Sequence, residues 1–306
     1  MKRLTFVKSS VAASLGGALL PSPLRSEKKK FRLRYILSSA MYGTFKVTDI
    51  LPEVAKCGAS AIDLWPRPHG NQREQVREMG NEAFKAMLDK NKVSLGVSTC
   101  YKLGPFDLQE EMHWAKTLTG KSVTLVCGGK GNKNAKGEDL KVEVRKFVEE
   151  MKPHHESAEK TDCTIAIENH ANNVISSPDS LKYFTELSSE MPGLTLAFAP
   201  HHLPQDGKMQ GDLIRQLGKE SISFFYAQQF GTGSHHKQPR EKEILQMPGR
   251  GPLDFKPIIQ ALKAISFDGF TEVFMHPFPR GLPIRDTVEE ITREINRSRD
   301  YLDNCI

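Results

Sequence analysis

Cysteine is scarce and poorly placed for bridging. The 306 residues hold five, Cys57, Cys100, Cys127, Cys163 and Cys305, with wide spacing and no CxxC pair. That excludes a disulfide framework and a thiolate zinc site, and reads as small buried fillers on strands and helices. Also missing is a basic stripe interleaved with aromatics. The net charge of +6 is spread along the chain. The one dense cluster, Lys28 to Lys30 with Arg32 and Arg34, reads as a solvated flank, so no nucleic-acid partner is expected. A glycine-rich phosphate turn is absent after the first strand candidate, where "SSAMYGTF" stands. "CGGKGNKNAKG" further on does not match a nucleotide-binding fingerprint and reads as a flexible loop. Beyond the N-terminal segment no apolar run is long enough to span a bilayer, so no integral membrane segment is expected in the mature chain.

The N-terminus does carry a signal. "MKRLTFVKSSVAASLGGALLPSP" has a basic start and an apolar run from Val11 to Leu20. The run is too short for a membrane span and fits a secretory h-region. "KRLTFVKSS" resembles a twin-arginine export signal with Lys2 replacing the first arginine, and no clear A-x-A cleavage site follows. We read residues 1–30 as an export-signal-like segment and linker, and expect a periplasmic protein. The alternative is a cytoplasmic protein with a weakly helical tail.

From Phe31 onward short apolar runs alternate with longer amphipathic ones. Strands are predicted over 31–39, 60–65, 93–99, 122–127, 163–169, 194–199, 222–229 and 270–276. Between them, "SSPDSLKYFTEL" offers Ser177 as a helix N-cap with Pro178 in the first turn. "DTVEEITREINRSRDYL" offers Asp286 and Glu289 as a capping box, with Val288, Ile291, Ile295 and Leu302 along one stripe. Eight strand-helix units over 31–306 predict a single (β/α)8 barrel as the catalytic domain. Chemistry in such barrels sits at the C-terminal ends of the strands. Here those ends are unusually polar: "DLWPRPHGNQ", "IENHANN", "APHHLPQD", "AQQFGTGSHHKQ" and "FMHPFPRG". Most of the ten histidines fall in these loops.

"GASAIDLW", "IAIENH", the histidine after strand six and "PGRGPLDFKPIIQALKAISFDGF" leading into strand eight occur in this order. Together with the eight-unit rhythm they resemble the xylose-isomerase-like TIM barrels, the sugar phosphate isomerase/epimerase superfamily, over about residues 31–303. The resemblance implies one divalent metal, Mn, Mg or Zn, held by a Glu ending strand five, an Asp ending strand six, a His on strand seven and a Glu ending strand eight. Such a metal polarises a carbonyl and its neighbouring hydroxyl while carboxylates move the α-proton. Carried over, the strand-five Glu is Glu168. The strand-six Asp falls on Ala199, the strand-seven His near Tyr226, and the strand-eight Glu on or near Phe274. The histidine after strand six matches His202.

Strand residues two apart face one side, about 6.6 Å apart. That parity brings His170, His201 or His202, Gln228 and His276 one layer outward of the lost ligands. We therefore expect a His-rich, metal-capable or acid/base cluster with Glu168 as its floor. His202 is preferred over His201, because adjacent side chains on a strand point apart. Glu168, His202 and His276 are the expected catalytic groups, and Glu168, His170, His202 and His276 the expected metal ligands. Expected substrate contacts are Asp63, Trp65, His69, His170, Gln228, Arg250 and Arg280, the arginines able to grip a phosphate or carboxylate bidentately. Trp65 either stacks on a sugar face or fills the rim. Glu272 is expected to pair with a buried cation such as Arg34, and His235 and His236 to be solvated.

The resemblance implies a small-molecule carbohydrate as partner and an isomerase or epimerase working by proton abstraction through an enediolate. Two alternatives stay open: a sugar lyase or dehydratase, whose reaction starts with the same abstraction, and a non-catalytic carbohydrate-binding barrel. A nuclease of the endonuclease IV kind is disfavoured, since its acids on strands six and eight are missing. Members often dimerise or tetramerise, so a homo-oligomer is implied without a readable interface.

Overall fold

Eight short runs of apolar and β-branched residues pair side by side in chain order in the computed structural model, which describes residues 30–306. They are β1 (Arg34–Ser38), β2 (Ala61–Leu64), β3 (Ser94–Thr99), β4 (Val123–Gly128), β5 (Cys163–Glu168), β6 (Leu194–Phe198), β7 (Ile222–Ala227) and β8 (Phe270–Val273). All pairings are parallel, and β8 returns to β1 to close the barrel. Parallel neighbours need a crossover, and helices supply it on the outside. Residues Phe31–Ile306 form one unit. The predicted export segment lies outside the described residues except for Lys30. Among the described residues no helix is long and apolar enough to cross a membrane.

Every predicted strand is present, seven of them shorter than predicted and β4 shifted one residue later. β7 stops at Ala227 and β8 at Val273, so Gln228 and His276 belong to loops rather than to the ladder. Ser177 caps Pro178–Leu187 as predicted, accepting from the Ser180 amide. The capping box of the last helix, Val288–Asp303, sits one residue later than predicted. Thr287 is the N-cap, accepting from the Glu290 amide while Glu290 accepts from the Thr287 amide. Asp286 instead pairs with Arg240 at 2.7 Å. Ile291, Ile295 and Leu302 of that helix are buried as the stripe requires.

The barrel interior is closely packed at Gly96. A Cβ at Gly96 would stand 2.8 Å from the Phe270 ring and 2.9 Å from the Ala61 Cβ, so only glycine fits there. Above it lies a buried acid pair. Ser38 pairs with Asp63 and Ile36 with Glu272, so both carboxyls project inward from the strands flanking β1. The expected Glu272–Arg34 pair does not form. Arg34 opens β1 two residues before Ile36, with its guanidinium 3.8 Å from the centre of the Phe270 ring. Burial raises Asp63 to about 7, although the Thr99 hydroxyl donates to it at 2.7 Å; burial and the Asp63 charge raise Glu272 further.

Candidate active site

The site begins where β5 and β6 end. Glu168 is the last residue of β5, pairs with Ala197, and is buried. The next residue, Asn169, carries the ladder one step further with its side chain. Its amide donates to the Ala199 carbonyl at 2.9 Å and accepts from the Ala199 N–H at 2.7 Å. Pro200 then has no N–H to continue the sheet, and Pro200–His202 turn as a 3-10 helix. The Pro200 carbonyl accepts from Gln205 at 2.9 Å and from Gln210 at 3.2 Å, which pins the turn.

That turn corrects one expectation. On a strand His201 and His202 would point apart. In the 3-10 turn both rings face Glu168, with centroids 3.9 Å apart. Nε2 of each stands 3.7 Å from Glu168 Oε1. His170 follows from the β5 loop and leans on His202 at 4.1 Å. Its Nδ1 accepts from the Asn172 amide at 3.3 Å, so the ring also secures its own loop. His276 lies across the opening. The Arg280 guanidinium donates to its Nδ1 at 2.6 Å, which requires neutral imidazole with the proton on Nε2. The Tyr101 hydroxyl, from the loop after β3, donates to Glu168 Oε2.

Burial governs the charges. It raises the Glu168 carboxyl well above the usual carboxylate range. It lowers His170, His201, His202 and His276 below the usual imidazole range, and neighbouring histidines and Arg280 push the same way. His69 falls to about 3 by burial and the Arg280 charge. The outcome is a buried carboxyl facing neutral imidazoles, which offer lone pairs and carry no compensating charge. Such a carboxyl holds a proton or a cation.

The donor set fits a divalent metal. One atom each from Glu168, His201 and His202 lies within 4.8 Å of the others. Two donors about 2.1 Å from a tetrahedral zinc stand roughly 3.4 Å apart, close to the 3.7 Å found here. Among the described residues no other group of three or more His, Cys, Asp or Glu gathers this way.

Two chambers open above this floor. The inner one, about 260 Å³, is lined by Trp65, His69, Tyr101, Glu168 and Phe274 together with His170, His201, His202, His276 and Arg280. Trp65 stacks on Phe274 with centroids 4.8 Å apart at 11°. This ring pair covers the place where the resemblance expected a strand-eight acid. The outer chamber, about 440 Å³, shares the last five residues and adds Gln228, Phe230 and His235 among others.

The structure thus brings together Trp65, His69, Glu168, His170, His202, Gln228, His276 and Arg280. It does not bring in Asp63, which is fully buried beneath the chamber against Glu272. Nor does it bring in Arg250, whose guanidinium binds Glu294 at 2.5 and 2.7 Å on the last helix. His235 and His236 are exposed as expected, though His235 also reaches the outer chamber. Sequence reasoning missed Tyr101. Its only signal was an aromatic two residues past the end of a barrel strand.

A family model described as a xylose isomerase-like TIM barrel matches residues 51–296. No curated protein matches the chain in sequence. Among solved structures, the chain is similar to the IolI protein with a bound zinc atom, at 16% identity and TM-score 0.66, covering 90% of this chain and 99% of that one. It is similar to the protein SMc04130 from Sinorhizobium meliloti 1021, at 19% identity and TM-score 0.65, covering 87% and 97%. It is also similar to a D-psicose 3-epimerase with D-tagatose from Clostridium cellulolyticum H10, at 15% identity and TM-score 0.61, covering 88% and 98%.

Proposed function

This chain belongs to the xylose isomerase-like TIM barrels, and from that premise we propose that it is an isomerase or epimerase of a sugar or sugar derivative. One observation carries the reading: a buried Glu168 faces two imidazole nitrogens at 3.7 Å on the floor of a chamber that His276 also lines. Glu168, in its ionised form, takes the proton from the carbon beside the substrate carbonyl. His276, neutral and held by Arg280, donates a hydrogen bond from its Nε2–H to the substrate carbonyl oxygen, and the proton returned to carbon comes from the Glu168 carboxyl or from solvent. Return to the same carbon from the other face is epimerisation, and return to the neighbouring carbon is isomerisation. Tyr101 holds the unused carboxyl oxygen, and the Trp65–Phe274 stack gives the ring of the substrate an apolar wall. Glu168, His201 and His202 would hold a divalent metal, whose charge would stabilise the enediolate. The sugar-epimerase and zinc-bound neighbours support this reading through the shared fold.

The test is product analysis by NMR on free ketoses, D-fructose, D-tagatose and D-psicose, with added Mn, Mg or Zn. Interconversion that is lost in Glu168→Gln supports the reading. Loss of water from the substrate would move the protein to the dehydratases. Binding without any turnover would leave a carbohydrate-binding barrel.

A further inference from the structure

The chambers are unequal, and the larger lies outside the reacting groups. The inner one, about 260 Å³, is smaller than the ~300–1,000 Å³ of an ordinary ligand pocket. The outer, about 440 Å³, continues from it past His170, His202 and His276. Nothing in the proton transfer uses that outer space.

Its lining has a definite chemistry. Phe230 is 48% exposed, one of the few large apolar side chains left open among the described residues, and it shares this lining with Ala171, Leu203 and Pro204. Gln228 is buried, with Nε2 spent on Gln246 at 2.8 Å and Oε1 without a partner. Asn172 and Ser234 add neutral polar groups. Charge is nearly absent. Arg280 is the one Lys or Arg lining either chamber, and its Nη1 is already bonded to the Ser234 carbonyl and to His276, both at 2.6 Å. A phosphate asks for convergent cations, and the lining of the two chambers offers a single one.

We propose that the outer chamber is a subsite for a second, uncharged sugar ring, so that the substrate is a glycoside or disaccharide rather than a free monosaccharide or a sugar phosphate. The reacting ring occupies the inner chamber, the glycosidic link passes the histidines, and the second ring lays its C–H face on Phe230 with its hydroxyls towards Asn172 and Ser234. This rests on the isomerase or epimerase reading for the inner ring only.

The experiment is calorimetric titration of the full chain with D-fructose, fructose 6-phosphate and three glycosyl-fructoses of different linkage: turanose, lactulose and isomaltulose. Phe230→Ala is titrated beside the wild type, with circular dichroism as the folding check. At least one disaccharide is expected to bind tenfold or more tightly than fructose, and Phe230→Ala to bring that ratio near one. Equal affinity for fructose and all three disaccharides overturns the proposal, as does tightest binding of fructose 6-phosphate or a ratio that Phe230→Ala does not change. Deuterium exchange into bound sugars separates the two claims. A Phe230-dependent disaccharide preference without exchange keeps the subsite and removes the isomerase reading. Exchange on fructose with no such preference does the reverse, and no binding of any probe removes both.

Discussion

Asn169 is where fold and site are most tightly joined, so Asn169→Ala is the most informative single perturbation. The side chain is fully buried and its two hydrogen bonds, 2.9 and 2.7 Å, satisfy both backbone groups of Ala199. Truncation leaves a buried N–H and a buried C=O unpaired, at about 1–3 kcal/mol each, or roughly 2–6 kcal/mol together. At about 2–4 °C per kcal/mol for a chain of this size, the melting temperature falls by about 4–24 °C. The consequence for the site is separate. Pro200–His202 begins at the residue that Asn169 holds, so both ring nitrogens facing Glu168 lose their anchor together. A displacement of 1 Å costs about 10²-fold in rate. The assays are thermal denaturation by circular dichroism and metal uptake at a temperature well below both transitions, where unfolding contributes nothing. The reasoning is refuted if the variant melts within 2 °C of wild type and takes up metal with wild-type affinity.

Three further outcomes follow from other groups. In chelator, Glu168→Gln melts close to wild type, because the native carboxyl already holds a proton there; added Mn or Zn raises the melting temperature of wild type only, by about 2.7 kcal/mol of stability at a hundred times Kd. Asp63 is raised to about 7 by burial, so it is protonated in the folded state over a range where the unfolded chain is ionised. For an acid raised in this way, stability is gained as pH falls from the folded value towards the unfolded one. The melting temperature of Asp63→Asn minus that of wild type should therefore become more negative between pH 8 and pH 5, and a pH-independent difference would contradict the buried acid pair. Arg250→Ala should cost about 1 kcal/mol, since Arg297 still bonds Glu294 at 2.8 Å, and should leave sugar turnover intact; a large loss of turnover would return Arg250 to the site.

The barrel was legible because its signals are local and repeated. Each strand is a short apolar run, each helix an amphipathic stretch, and eight of them admit one closed arrangement. The site was legible in part. Glu168, His202 and His276 stood out as polar residues at the ends of apolar strands, and the two-residue period placed the histidines outward of the missing ligands. What escaped has physical reasons. The period applies only on a strand, and the ladder ends at Phe198, so the proline-led turn put His201 beside His202 instead of opposite it. Asp63 was expected to touch substrate as an acid near the end of the second strand, yet its partner Glu272 arrives from β8, more than two hundred residues away, where no sequence pattern connects them. Arg250 sat in a promising glycine-flanked loop, but its carboxylate partner Glu294 lies on the last helix. Tyr101 carries no motif at all, and only the closing of the barrel aims it at Glu168.

The measurement that bears most directly on Glu168 as the proton-transferring group is solvent deuterium incorporation into a ketose. Wild type and Glu168→Gln, both supplied with divalent metal, are incubated with D-fructose and isomaltulose in D2O and the sugars read by NMR. Exchange at the carbon beside the carbonyl by wild type, reduced at least 10²-fold in the variant, is the predicted result. Equal exchange by both proteins, or none by wild type on sugars that it demonstrably binds, would contradict the assignment.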